Sequence, residues 1–130
     1  MKPIIMFLIA FMSFSIGAFA QSVMIPASDT NTNAQTTYVT SYSLPSNTGN
    51  FSLQYVGTKI SGTVAGTVLL QGSLDGVNYT SVADTLTLSD QAVNTKIWDV
   101  SGSKRIKWRF EITTTGTNKI ASTGYYTERK

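Results

Sequence analysis

Apolar and polar residues alternate with a period of two along most of the chain after residue 35. In the clearest segment, Arg105–Thr114, one face carries apolar side chains and the other mostly charged ones: Ile106, Trp108, Phe110 and Ile112 against Lys107, Arg109, Glu111 and Thr113. This period is typical of β-strands, whose successive side chains point to opposite faces. Eight segments are predicted to be strands: Thr36–Leu44, Phe51–Ile60, Thr67–Leu74, Tyr79–Val82, Thr85–Leu88, Thr95–Val100, Arg105–Thr114 and Asn118–Thr127.

Turn-forming residues separate these segments. Asp75-Gly76 is the strongest short-range hairpin signal, and Gly57 inside the second strand indicates either a bulge or a close contact. Eight short strands with near-regular turns predict an all-β fold, an antiparallel β-sandwich over residues 36–130. Both an immunoglobulin-like and a jelly-roll strand order fit this pattern.

The first twenty residues follow the layout of a secretory leader. Met1-Lys2 gives a positive start, Ile4–Met12 is apolar, and Gly17–Ala20 supplies small residues before Gln21. We therefore predict a signal peptide over 1–20, and an exported protein at a virion surface, in the extracellular space or in the cell envelope. A retained membrane anchor is the alternative. Residues 21–35 are predicted to form a flexible polar arm.

Composition removes many kinds of chemistry. The chain has no cysteine and no histidine, so ordinary zinc sites, cysteine nucleophiles and Ser-His-Asp triads are excluded. The seven carboxylates show no paired arrangement of the glycosidase type. Asp84 and Asp90 flank one short strand and could meet around calcium, but loop polarity explains them as well. We predict a protein that is not an enzyme, with no cofactor and no metal.

The basic-aromatic run from Lys104 to Phe110 invites a nucleic-acid interpretation, since single strands bind between stacked aromatics and cations. Strand alternation argues against it, because the cations and the aromatics point to opposite faces. No nucleic-acid partner is predicted. The candidate ligand or partner contacts are cations and aromatics that alternation allows to face outward: Trp98, Tyr125, Tyr126, Lys107 and Arg109. Asp75, Gly76, Asn78 and Tyr79 are predicted to build the hairpin and have a structural role.

The segments Ile60–Tyr79, Asp84–Leu88 and Asn94–Trp98 together resemble a group of small structural proteins of bacteriophages, especially of Bacteroidota-type hosts. The resemblance covers roughly residues 36–127 and implies an oligomeric virion surface or decoration domain without catalytic residues. The hairpin Ser73–Tyr79 is also similar to the Ser-x-Asp-Gly-x-x-Trp turn of discoidin-like sugar-binding modules. The sequence departs from that second pattern at Tyr79, where tryptophan is usual.

Two functions follow as expectations. The first is a non-enzymatic structural protein of a phage virion or cell surface, a decoration, spike or fibre component that self-assembles into a homo-oligomeric ring. Other virion proteins or host-surface glycans are its further expected partners, and membrane contact is expected only through an uncleaved N-terminal segment. The alternative is a secreted carbohydrate-binding or adhesion module.

Overall fold

The computed structural model describes residues 23–40, 50–101, 105 and 107–129. These residues form strands and connections with no helix, so no described helix is available to span a membrane. The strands are β1 (Val23–Thr32), β2 (Thr36–Thr40), β3 (Asn50–Gly62), β4 (Gly66–Ser73), β5 (Thr80–Ser81), β6 (Leu86–Leu88), β7 (Val93–Ser101), β8 (Lys107–Thr114) and β9 (Asn118–Arg129). The predicted all-β sandwich is confirmed.

Two antiparallel sheets make up the sandwich. The first has the order β1-β9-β3-β7, and the second has the order β2-β8-β4-β5, with β6 also paired to β4. The pairs are nested: β1 with β9, β2 with β8, β3 with β7, and β4 with β5 and β6. A chain that folds back on itself in this way and then wraps into two sheets is a jelly roll. Of the two strand orders that the sequence left open, the structure has this one.

The polar segment before residue 36 differs from its prediction. Much of the predicted flexible arm of 21–35 belongs to β1, which lies along β9 with a register shift between Ile25 and Asp29. Asn31 explains why a polar segment is held in place. It is fully buried, its amide donates to the Ile112 carbonyl at 3.3 Å, and its carbonyl accepts from the Thr37 hydroxyl. This buried amide ties β1 to the opposite sheet.

Some of the predictions concern residues that the structure does not describe. The leader over 1–20 and residues 41–44 of the first predicted strand lie outside the described residues. Each of the eight predicted strands corresponds to one of β2–β9, with ends that shift by a few residues. The period of two was therefore a sound guide to strand existence, and less so to strand length.

Alternate residues of both sheets fill one core. Its fully or nearly fully buried members are Val39, Phe51, Leu53, Tyr55, Val64, Val68, Leu70, Leu88, Trp98, Trp108, Phe110, Ile112 and Ile120. Aromatic rings from opposite sheets meet edge to face: Phe51 lies 5.0 Å from Trp108, and Tyr55 lies 5.7 Å from Phe110, between ring centroids. With no disulfide available, these contacts and the ladders hold the sandwich together.

Gly57 marks a close contact and not a bulge. A β-carbon at this position would lie 2.6 Å from the Tyr55 hydroxyl and 2.8 Å from Ile120 Cδ1. The register shift of β3 against β9 occurs further along, between Lys59 and Ser61. Glycine is therefore required here because the core leaves no room for a side chain.

Candidate functional surfaces

Two tyrosines enclose an arginine on the outer face of the five-stranded sheet. The Arg109 guanidinium carbon lies 4.2 Å from the Tyr38 ring centroid and 4.0 Å from the Tyr79 ring centroid. Strand pairing produces this arrangement, because Arg109 on β8 lies between Thr40 of β2 and Gln71 of β4. Both distances fall within cation–π range, so the rings hold the guanidinium in one position.

Two further side chains hold the arginine from the sheet side. Arg109 Nε donates to Gln71 Oε1 at 2.7 Å, and Gln71 Nε2 donates to Glu111 Oε2 at 3.0 Å. The nearest guanidinium nitrogen lies 3.9 Å from the same Glu111 oxygen. We call Tyr38, Gln71, Tyr79, Arg109 and Glu111 the tyrosine–arginine cluster. Its members come from three strands and one loop. The Gln71 side-chain amide connects the Arg109 guanidinium, through Oε1, to the Glu111 carboxylate, through Nε2.

The loop 74–79 between β4 and β5 flanks this cluster. Asp75 Oδ1 accepts hydrogen bonds from the backbone amides of Val77 and Asn78, at 2.8 and 2.7 Å, and from the Ser73 hydroxyl at 2.8 Å. These donors, the Asn78 amide first, hold the pKa of Asp75 well below its ordinary value. Gly76 has φ of 78°, a left-handed conformation that suits glycine. The predicted structural role of Asp75, Gly76 and Asn78 fits this geometry.

The second candidate surface is the free side of β7. One side of this strand pairs with β3 over its whole length, and no described strand pairs with the other side. Its outward side chains include Val93, Thr95 and Ile97, and Ile97 is 57% exposed. We call this side of β7 the β7 edge.

Trp98 is not placed for ligand contact. It is only 3% exposed, its indole nitrogen donates to the Asp84 carbonyl at 2.8 Å, and its ring lies 5.5 Å from Phe110. The prediction that Trp98 contacts a ligand is corrected by this burial, because neighbouring Ile97 takes the outward position. Because successive side chains of a strand point to opposite faces, only one of the two residues can face outward.

The other predicted contact residues are spread over both sheets. Tyr126 is half-buried and packs against the core, while Tyr125 lies on the outer face of the four-stranded sheet opposite Gln54. Lys107 and Arg109 lie on the other sheet, as the alternation of β8 predicts. A β-carbon on Gly76 would lie 3.3 Å from Lys107 Nζ, so this lysine extends over the loop 74–79. The structure brings Arg109 and Tyr79 together and leaves Tyr125 and Tyr126 apart from them.

Asp84 and Asp90, the two aspartates that could have met around calcium, each contact a different lysine. Asp84 pairs with Lys96, and Asp90 pairs with Lys59 at 2.7 Å and accepts the Val64 amide at 2.9 Å. The lysine contact is the main reason that the pKa of each aspartate lies below its ordinary value. Among the residues that the structure describes, no group of three or more metal-binding side chains comes together.

Sequence reasoning missed Tyr38 and gave Tyr79 only a role in the hairpin. Tyr38 is 44% exposed, and alternation places it opposite the buried Val39. An outward tyrosine on β2 was therefore readable from the pattern once Val39 was assigned to the core. Its contact with Arg109 was not readable, because it depends on the pairing of β2 with β8, which are distant in sequence.

Comparison with known proteins supports the fold. No protein-family model matches the sequence, and no curated protein is found to be similar. Among solved structures, a mitogen from Yersinia pseudotuberculosis superposes with a TM-score of 0.55 at 10% identity, over 86% of this chain and 89% of that one. This likeness concerns the fold alone.

Two further solved structures are less similar. A family 16 carbohydrate-binding module has a TM-score of 0.47 at 14% identity, covering 72% of this chain and 70% of that one. A pilus protein of Bacillus endospore appendages has a TM-score of 0.47 at 15% identity, covering 86% and 90%. Both likenesses are weak, and the resemblance to phage structural proteins stays a prediction.

Proposed function

We propose that the protein is a non-enzymatic structural component of a virion or cell surface, and that it assembles with copies of itself through the β7 edge. The observation that carries the proposal is the contrast between the two edges of the four-stranded sheet. The β1 edge contains Pro26 and a register shift, two devices that discourage strand addition. β7 contains no proline, and its register with β3 is regular along Val93–Ser101.

An unguarded edge of this length offers a partner a substantial ladder. Nine residues at a strand rise of about 3.3 Å give roughly 30 Å of backbone with one side unpaired. Peptide groups along such an edge can pair with a strand from a second chain. Pairing between identical copies would use the same edge twice and give a closed, symmetric contact.

Two side chains of β7 are charged, Lys96 and Asp99, and both have partners within the subunit. An inward-facing charge on an edge strand normally discourages strand addition, and Lys96 faces inward. Its ammonium, however, contacts the Asp84 carboxylate and donates to the Thr85 carbonyl at 3.3 Å, which offsets the charge within the subunit. The outward Val93 and Ile97 are uncharged and exposed.

The neighbouring outer face supports the same conclusion. Gln54, Val56 and Thr58 lie opposite Ile97, Thr95 and Val93. All six are uncharged, so the part of this face around Ile97 meets a second copy without a charge. Asp99, further along β7, is exposed on the same face, and its carboxylate accepts a hydrogen bond from the Ser52 hydroxyl of the same subunit. Jelly rolls occur in viral capsid and lectin domains, so by analogy of fold alone a surface role is in keeping with this architecture.

Light scattering coupled to size exclusion tests the proposal. We expect the purified protein to be oligomeric, and Ile97→Lys to be monomeric, because the variant places a charge in the shared strand pair. The matched control is Val77→Lys in the loop 74–79, where the native residue is 77% exposed. A monomeric native protein across the accessible concentration range would overturn the proposal, as would equal effects of the two substitutions.

A further inference from the structure

The tyrosine–arginine cluster lies on the sheet that the proposed assembly leaves uncovered. Its polar groups exceed what the fold alone needs at an outer face. The Arg109 guanidinium carries five N–H donors, and the contact with Gln71 uses only the one at Nε. The Glu111 carboxylate likewise has more acceptor positions than the single Gln71 amide occupies. Donors and acceptors therefore lie next to each other at one place on this face.

These groups are held in position before any ligand arrives. Gln71 is only 8% exposed, and both ends of its amide are hydrogen-bonded. Tyr38 and Tyr79 restrain the guanidinium from two sides. Ordering long polar side chains on binding costs free energy, and the side chains of this cluster are already ordered in the folded protein.

The rings add an apolar contact surface. Arg109 covers one face of the Tyr38 ring. Tyr38 is nevertheless 44% exposed, so part of its ring surface is in contact with solvent. Nearby on the same face, the Thr36 and Thr113 hydroxyls lie 3.2 Å apart. The surface thus combines ring surface, a donor, an acceptor and hydroxyl groups.

The charges select the kind of ligand. Glu111 lies beside Arg109, so an anionic ligand that approaches the guanidinium also meets a carboxylate. A nucleic-acid strand would need a cationic track without such an interruption. An apolar partner would leave the donors and acceptors unpaired. A neutral polyol satisfies donor and acceptor together, and its C–H groups can contact an aromatic ring.

We propose that the tyrosine–arginine cluster is a binding site for a neutral oligosaccharide. The sugar hydroxyls accept from Arg109 and donate to Glu111, while the sugar ring lies against Tyr38. Gln71 is a positioning residue, since it contacts Arg109 and Glu111 and is itself nearly buried. This site is separate from the β7 edge, so loss of one function leaves the other intact.

Titration calorimetry with defined sugars tests this site. The neutral probes are β-1,4-linked oligomers of glucose, xylose, mannose and N-acetylglucosamine; a heparin oligosaccharide and a single-stranded oligonucleotide are the anionic probes. We expect saturable binding of at least one neutral probe. Tyr38→Ala should weaken it on the order of tenfold, and Arg109→Lys should weaken it as well because lysine lacks the planar fork.

A tyrosine on the other sheet supplies the control. Tyr125→Ala removes an outer-face tyrosine far from the cluster and should leave the affinity unchanged, while Tyr38→Phe should retain most of it. Thermal unfolding of every variant distinguishes lost binding from lost folding. The proposal is overturned if no neutral probe binds, if an anionic probe binds more tightly, or if Tyr125→Ala weakens binding as much as Tyr38→Ala. Light scattering should show that these variants have the same oligomeric state as the native protein.

Discussion

A buried pair of hydroxyl groups gives the most quantitative prediction about this fold. The Tyr55 hydroxyl lies 2.9 Å from Ser122 Oγ, and both side chains are fully buried between β3 and β9. Ser122→Ala leaves the tyrosine hydroxyl buried without its partner, and Tyr55→Phe leaves the serine hydroxyl in the same condition. The double variant Tyr55→Phe/Ser122→Ala removes both hydroxyls and leaves neither unpaired.

The magnitude follows from the cost of an unpaired buried polar group. Each single substitution should lower the free energy of unfolding by about 1–3 kcal/mol. The double substitution should cost clearly less than the sum of the two, because the penalty for an unpaired hydroxyl disappears. For a domain of this size, each kcal/mol corresponds to a Tm change of roughly 3–6 °C.

Urea unfolding monitored by tryptophan fluorescence measures all four proteins, since Trp98 and Trp108 are both buried. The four free energies form a double-mutant cycle that isolates the coupling between the hydroxyls. Additive losses, with no coupling between the two substitutions, would show that the hydrogen bond does not exist as described. Unchanged m-values would confirm that the substitutions act on stability and not on the extent of unfolding.

Three further predictions rest on single residues. Burial raises the pKa of Tyr55 to about 12, and its hydrogen bond to Ser122 partly offsets this effect. The free energy of unfolding should therefore be unaffected by this group below pH 10 and fall by about 2–3 kcal/mol as the pH rises toward 12. Urea unfolding at a series of pH values measures this loss, which should be absent in Tyr55→Phe. Gly57→Ala should cost about 1–3 kcal/mol in the same assay, because its β-carbon meets packed atoms. Asp75→Ala should speed hydrogen exchange at the Val77 and Asn78 amides with little change in the free energy of global unfolding. In the native protein, protonation of Asp75 should weaken the same two hydrogen bonds, and because its pKa is lowered this should happen only in strong acid.

Much of the sandwich was predictable because burial follows strand alternation. On β8, alternate residues from Trp108 to Thr114 are buried and those from Lys107 to Thr113 are half-exposed, as the apolar pattern indicates. β1 was not predictable in the same way. Its end is polar, and it is held by Asn31, whose partners Thr37 and Ile112 come from the other sheet. A buried amide of this kind gives no apolar signal.

The candidate surfaces were predictable only in part. Alternation placed Arg109 outside and excluded it from the aromatic core face, but it could not pair the residue with Tyr38. That contact depends on the register between β2 and β8, which the local pattern does not specify. The β7 edge was equally hidden, because whether a strand lies at an edge is a property of the sheet order and not of its own residues.

Chemical cross-linking at single cysteines is the most direct test of assembly through the β7 edge. The chain has no cysteine of its own, so one introduced thiol reports one position. With a short bifunctional maleimide, Ile97→Cys should give a covalent dimer in high yield at dilute protein, because the two copies would meet at β7. Val77→Cys, at a more exposed position away from this edge, should stay monomeric. Equal yields from the two variants, or no dimer from Ile97→Cys, would contradict the account.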